Sequence, residues 1–137
     1  MTTVTIDTSV LLAIFKGEPE GSLWLGKLQQ LAETAALRVS PVVLAEVRSF
    51  FPSDEPCLEA LESLQIQYSE LEASSALLAG AVFRKYRQAG GPRTTILPDF
   101  MVAAHAAKQA DALATNDRGY LRTYFPKLRL VSIAEEG

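Results

Sequence analysis

The sequence predicts an α/β fold built on a parallel sheet of four or five short strands covered by helices on both faces. Three observations predict it. Short apolar runs of strand character alternate with longer stretches whose apolar residues recur at helical spacing, the pattern of parallel sheets. Glycine and proline punctuate the junctions between them. The length of 137 residues at 48% hydrophobic content suits one compact domain, residues 1–137, with a real core.

The first strand is expected at residues 3–7, around Val4-Thr5-Ile6. Asp7-Thr8-Ser9 then offers three side chains able to cap the helix of Val10 to Phe15, which Lys16-Gly17-Glu18-Pro19 ends. From Glu20 to about Ala36 the apolar residues Leu23, Trp24, Leu28, Leu31 and Ala35 keep helical spacing, and Leu37-Arg38-Val39-Ser40 reads as a second strand. Ser40-Pro41 starts the next helix, with a hydroxyl to cap it and proline at its first position. That helix ends near Phe51-Pro52, another covers Cys57 to Leu64, and Ile66 to Ser69 forms a third strand. Ala73 to Gln88 is an alanine-rich helix closed by Gly90-Gly91-Pro92, and Pro98 opens the helix that follows. After Ala112-Leu113-Ala114-Thr115, the segment Asn116-Asp117-Arg118-Gly119 has turn chemistry, and residues 128–131 supply the last strand.

Four acids stand where the apolar runs stop or are interrupted. Asp7 follows Val4-Thr5-Ile6, Glu46 lies inside Val42 to Val47, Asp99 precedes Phe100 to Ala104, and Asp117 follows Ala112 to Thr115. Ionised carboxylates avoid such surroundings unless something compensates them. In a parallel sheet, ligands bind beyond the carboxyl ends of the strands, where the strand order reverses. Asp7 and Asp117 fall at strand ends, Asp99 lies in a first helical turn, and Glu46 can project from its helix toward the same crevice. Packed together, the four repel one another, so without a counter-charge at least one holds its proton above the ordinary range. A hard divalent cation, Mg²⁺ or Mn²⁺, removes that conflict, whereas a zinc site lacks its Cys and His cluster.

Each acid also has a quieter reading: Asp7 as a cap, Asp99 as the complement of a helix N-terminus, Asp117 as a turn former, Glu46 as part of a polar helix face. Thr8, Ser9, Thr115 and Asn116 adjoin the acids and are placed to orient carboxylates or bound water. His105 is six residues beyond Asp99, off the same helix face, and is expected to pack or hydrogen-bond rather than ligate.

The single cysteine, Cys57, forms no internal disulfide, and neither a secretory signal nor an apolar run of about 20 residues is present, so a cytoplasmic protein without a membrane span is expected. Net charge is −3, unevenly spread: residues 1–83 hold four Lys and Arg against eleven acids, residues 84–137 nine against five. Arg84, Lys85, Arg87, Arg93 and Arg118 are therefore candidates for phosphate contacts.

Taken in order, Ile6-Asp7-Thr8-Ser9-Val10-Leu11-Leu12, Val43-Leu44-Ala45-Glu46-Val47, residues 95–106 from Thr95 through Pro98-Asp99-Phe100 to Ala106, and Leu113-Ala114-Thr115-Asn116-Asp117 resemble the PIN-domain ribonucleases, specifically VapC-type toxins of toxin–antitoxin pairs. The likeness spans essentially the whole chain. It implies a three-layer α/β/α domain in which Asp7, Glu46, Asp99 and Asp117 bind Mg²⁺ or Mn²⁺, with Thr115 as the accompanying hydroxyl. It further implies cleavage of RNA, a homodimer, and inhibition by a small antitoxin protein. Tyr120 departs mildly from the pattern, standing where phenylalanine is common. Two other readings remain: a receiver-like phosphoacceptor domain, which would need an aspartate after the third strand and a lysine ending the fifth, and a non-catalytic PIN-like binding module. A haloacid-dehalogenase-like phosphatase would carry an aspartate where Ser9 stands.

Overall fold

The computed structural model describes residues 1–117 and 119–133. Five strands, β1 (Thr2–Ile6), β2 (Ala35–Val39), β3 (Ile66–Tyr68), β4 (Ala112–Ala114) and β5 (Leu130–Val131), form one parallel sheet in the order β3-β2-β1-β4-β5. Among the described residues seven helices connect them: α1 (Thr8–Phe15), α2 (Gly21–Leu31), α3 (Pro41–Phe50), α4 (Asp54–Ser63), α5 (Ala73–Gln88), α6 (Leu97–Gln109) and α7 (Gly119–Tyr124). The chain runs outward from β1 to β3, then returns across β1 to β4 and β5. Right-handed crossovers travelling in opposite directions put their helices on opposite faces, which gives three layers.

Burial follows this topology. Val4, Thr5 and Ile6 of β1 and all three residues of β4 are buried, as expected of central strands covered twice, whereas β2 alternates, with Ala35, Leu37 and Val39 inward. On one side α1 and α2 pack closely: a Cβ on Gly21 would stand 2.4 Å from the Ala13 carbonyl oxygen, so only glycine fits there. On the other side an aromatic cluster joins α5, α6 and α7, with Phe100 at its centre against Phe83, Tyr120 and Phe125. Among the described residues no helix is long and apolar enough to cross a membrane.

Three local expectations need correction. The helix after Glu20 stops at Leu31 and β2 begins at Ala35, because pairing with β1 (Thr2 opposite Ala35) overrides the helical preference of the alanines. Helix α4 starts at Asp54, where Asp54 and Glu55 supply the acidic first turn, three residues earlier than the apolar spacing suggests. Ser40 does precede α3 with extended backbone, but its hydroxyl makes no capping bond and its Oγ is buried without a partner.

Candidate active site

The strand order reverses between β1 and β4, so their carboxyl ends border the crevice where such sheets hold ligands. Asp7 is the first residue beyond β1. Its N–H donates to the Ala114 carbonyl at 2.9 Å, continuing the β1–β4 pairing by one step and fixing the residue at the crevice. Extended backbone (φ −77°, ψ 154°) makes it the cap of α1, and Oδ1 accepts the Thr8 N–H at 2.8 Å.

The capping reading is thus correct for Asp7, yet it uses only one of the two carboxylate oxygens. Oδ2 accepts the hydroxyls of Thr115 at 2.7 Å and Ser9 at 3.3 Å. The Thr115 oxygen in turn accepts the Asp117 N–H at 2.9 Å, which anchors the segment after β4. On the opposite flank Thr8 Oγ1 donates to Glu46 Oε1 at 2.6 Å across 38 residues of sequence. Three of the four acids, Glu46, Asp7 and Asp117, therefore lie along one hydrogen-bonded path carried by Thr8 and Thr115. Asn116 closes it, its N–H on Ser9 Oγ at 3.3 Å and its Oδ1 accepting Trp24 Nε1 at 2.9 Å.

Asp99 approaches from a different layer. It is the third residue of α6, where its carboxylate accepts the Ile96 N–H at 2.8 Å, the acidic half of a capping box whose Ile96 has no hydroxyl to reciprocate. Among the described residues no hydrogen bond joins Asp99 to the other acids, and its connection to them is through the field felt at Tyr120. The Tyr120 hydroxyl donates to the Asp99 carbonyl at 3.3 Å, its ring packs 5.1 Å from that of Phe100, and burial, followed by the charges of Asp99, Asp7 and Asp117, pushes its phenol far above the ordinary range. A phenol so placed stays neutral and donates.

Burial also raises the Asp7 carboxyl above the usual carboxylate range. Hydrogen bonds from Thr115, Thr8 and Ser9 oppose the shift, and the negative charge of Asp117 adds to it as the smallest contribution. The expected crowding is present but secondary: withdrawal from water, more than repulsion, sets the chemistry of this group.

A hard divalent cation fits the donor set in kind. The oxygens are carboxylate and hydroxyl, and a cation would offset the negative charge that Asp117 brings to bear on Asp7. Among the described residues no three His, Cys, Asp or Glu side chains already stand as a ligand cluster. Asp7, Glu46 and Asp99 instead use their oxygens on Thr8, Ser9, Thr115 and the Ile96 amide.

His105 behaves as its spacing suggests. It is buried, its Nε2 stands 3.0 Å from Ser69 Oγ, and burial lowers its pKa, leaving it neutral and away from the acids. Arg84, Lys85 and Arg87 are exposed on α5 and Arg93 is exposed on the loop before α6, while Arg118 lies outside the described residues. Sequence reasoning missed two side chains. In the sequence Trp24 stands only as part of an apolar helix face, although a buried indole N–H needs an acceptor, and Tyr120 stands out for its identity but not for its contact with Asp99.

A family model described as the PIN domain matches residues 4–126. Among solved structures, the chain is similar to a chain of VapBC2 from Rickettsia felis bound to a promoter DNA fragment, at 22% identity and TM-score 0.72 over 96% of this chain and 98% of that one. It is similar to VapBC-1 from nontypeable Haemophilus influenzae, at 17% identity and TM-score 0.72 over 98% and 100%. FitAcB from Neisseria gonorrhoeae gives 17% identity and TM-score 0.63 over 96% and 99%. At these identities the likeness is one of fold. No curated protein matches the chain. The family match takes in all four acids and the sheet that presents them, and the chain belongs to the PIN domain family.

Proposed function

We propose that this chain is a Mg²⁺- or Mn²⁺-dependent endoribonuclease that hydrolyses RNA phosphodiester bonds as the toxin of a toxin–antitoxin pair. One observation carries the reading: Asp7, a half-buried carboxylate at the strand-order reversal, accepts the Thr115 hydroxyl that in turn accepts the Asp117 N–H, and accepts the N–H of Thr8, whose hydroxyl donates to Glu46. PIN domains are typically nucleases, and the similar chains above come from VapBC and FitAcB complexes, which supports a small antitoxin protein as partner. A homodimer in the cytoplasm, as the family resemblance implies, belongs to the same reading.

When bound, a divalent ion supplies an activated water and charge neutralisation at the scissile phosphate. Asp7, Asp99 and Asp117 would hold it, with Glu46 acting directly or through water. Thr115 keeps Asp7 Oδ2 aimed into the crevice and fixes the Asp117 backbone, Thr8 restrains Glu46, and Ser9 with Asn116 braces the same turn. Tyr120 anchors the start of α6, which carries Asp99.

The test is metal-dependent cleavage of single-stranded and structured RNA by the purified protein. Cleavage that chelator stops, that Mg²⁺ or Mn²⁺ restores and that Asp99→Asn abolishes is the expected result; a normal rate in Asp99→Asn overturns it. The strand order 3-2-1-4-5 departs from the 2-1-3-4-5 order of receiver domains, and this disfavours the phosphoacceptor alternative. Stable aspartyl phosphate after incubation with a small phosphodonor would revive it, while RNA binding without any turnover would favour a non-catalytic module.

A further inference from the structure

A second feature lies outside the acidic crevice. Two clefts of about 540 and 480 Å³ adjoin on the outer face of α5, meeting at Phe83 and Arg87. One continues past Arg84, and the other runs under the loop of residues 90–96, past Arg93, and ends at Ile96. The amide of Ile96 is held by the Asp99 carboxylate, so the trough ends beside one of the four acids.

Its chemistry is uniform. Arg84, Arg87 and Arg93 are exposed, no acidic residue lines either cleft, and among the described residues none of the three has an acidic partner. In a chain of net charge −3 this strip is a local reversal of sign. Lys85, on the same helix, lines neither cleft.

The trough is also backed by a rigid aromatic wall. The Arg87 guanidinium sits 5.8 Å over the Phe83 ring centroid, and that ring is held from behind by Phe100 at 5.2 Å and by Tyr86 at 6.4 Å with a 17° interplanar angle. Tyr86 fixes the loop as well: its hydroxyl donates to the Pro92 carbonyl at 2.6 Å, its carbonyl accepts the Gly91 N–H at 3.0 Å, and Gly91 lies so close to the ring that an added Cβ would come within 2.4 Å of it. Arg93 is therefore carried on a loop pinned to the same aromatic stack. A flat cation resting on a fixed ring, flanked by further guanidiniums, is the arrangement that stacks an unpaired base while neighbouring phosphates are neutralised.

We infer that the trough along α5 binds single-stranded RNA, with a base stacked on the Arg87–Phe83 platform and phosphates on Arg84 and Arg93, and delivers the strand to the acidic crevice. The choice of RNA rests on the nuclease reading above; the demand for a single strand rests on the platform, because only an unstacked base presents its face. An acidic peptide would be held by the three guanidiniums but would gain nothing from the flat aromatic backing.

The measurement is fluorescence anisotropy of a labelled single-stranded oligoribonucleotide titrated with the whole protein in chelator, so that no cleavage intervenes. Arg84→Gln/Arg87→Gln/Arg93→Gln should weaken binding at least about tenfold and flatten the slope of log Kd against log salt by about 1.4, at roughly 0.7 for each of the two lost phosphate contacts. Phe83→Leu should weaken binding roughly fivefold or more with the slope unchanged, the mark of lost stacking. Phe83 supports the core, so Arg87→Lys is the second variant. It keeps the charge but not the plane, and should lower affinity at constant slope. Wild-type affinity in the triple variant, tighter binding of duplex than of single strand, or an acidic polypeptide bound as tightly as the oligonucleotide would each overturn the inference. Wild-type protein that binds the strand but never cleaves it with Mg²⁺ or Mn²⁺ would sink the nuclease reading and leave the trough standing.

Discussion

The crevice between β1 and β4 and the trough along α5 hold charge in opposite ways. In the crevice Asp7 and Asp99 are half-buried, Glu46 and Asp117 are exposed, and hydrogen bonds from Thr8, Ser9 and Thr115 fix the Asp7 and Glu46 carboxylates on groups that the sheet positions. Arginines in the trough are exposed at the ends of long side chains, and what is fixed there is the aromatic wall behind them. Rigid placement serves a centre that must present oxygens at defined positions, whereas exposed cations on a rigid backing suit a polymer whose sequence varies. Substitutions in the first region should therefore act on rate, and those in the second on affinity.

The sharpest way to break that contrast is Asp99→Asn. Under the nuclease proposal it should lower RNA cleavage on the order of 10³-fold, equivalent to about 4 kcal/mol of lost transition-state stabilisation, while leaving oligonucleotide affinity in chelator unchanged. Single-turnover cleavage beside anisotropy separates the two; a loss confined to affinity would place Asp99 with the trough instead.

Thr115→Val comes next. It removes the donor to Asp7 Oδ2 and the acceptor of the Asp117 N–H while keeping the side-chain volume. A drop in cleavage of roughly 10- to 100-fold is expected, as for groups that orient ligands. Cleavage at the wild-type rate would show that the buried threonine hydroxyl serves folding alone.

On the trough side, Gly91→Ala tests whether the loop needs its contact with Tyr86. The new methyl must move either the ring or the loop, at a cost of roughly 1–3 kcal/mol in thermal unfolding, and should weaken strand binding through Arg93 with cleavage chemistry unchanged for RNA already bound. Unaltered stability and affinity would mean that the loop gives way freely.

These two regions were not equally legible in the sequence. Asp7, Glu46, Asp99 and Asp117 stood out because carboxylates beside apolar runs need an explanation, and strand–helix alternation alone pointed them to one end of a sheet. Helix α5 was legible nearly to the residue, since Gly90-Gly91-Pro92 ends it without ambiguity. What stayed hidden depends on contacts between distant segments. Helix α7 is six residues long and begins in turn chemistry, so no periodicity announces it, and with it went the meeting of Tyr120 with Asp99. The basic half was visible as a charge count, but which cations share a trough follows only from packing: Arg84, Arg87 and Arg93 line it, and Lys85, adjacent in sequence, does not.

The smallest effect separates burial from crowding inside the crevice. In the metal-free protein the Asp7 carboxyl has a folded-state pKa above its unfolded value of about 3.8, so the folded state holds this proton more tightly than the unfolded chain does. Its contribution to stability is then most favourable below the unfolded value and is lost as pH rises through the folded one; at neutral pH the ionised group opposes folding. Asp7→Asn should raise the melting temperature of metal-free protein near neutrality by a few degrees, roughly the equivalent of 1 kcal/mol, with the gain shrinking toward zero at acid pH. Asp117→Asn relieves only the charge contribution, the least of the causes, and should give a smaller rise. If the two variants gained equally, repulsion between the carboxylates rather than their removal from water would govern the crevice, and a cation would be needed there for a different reason.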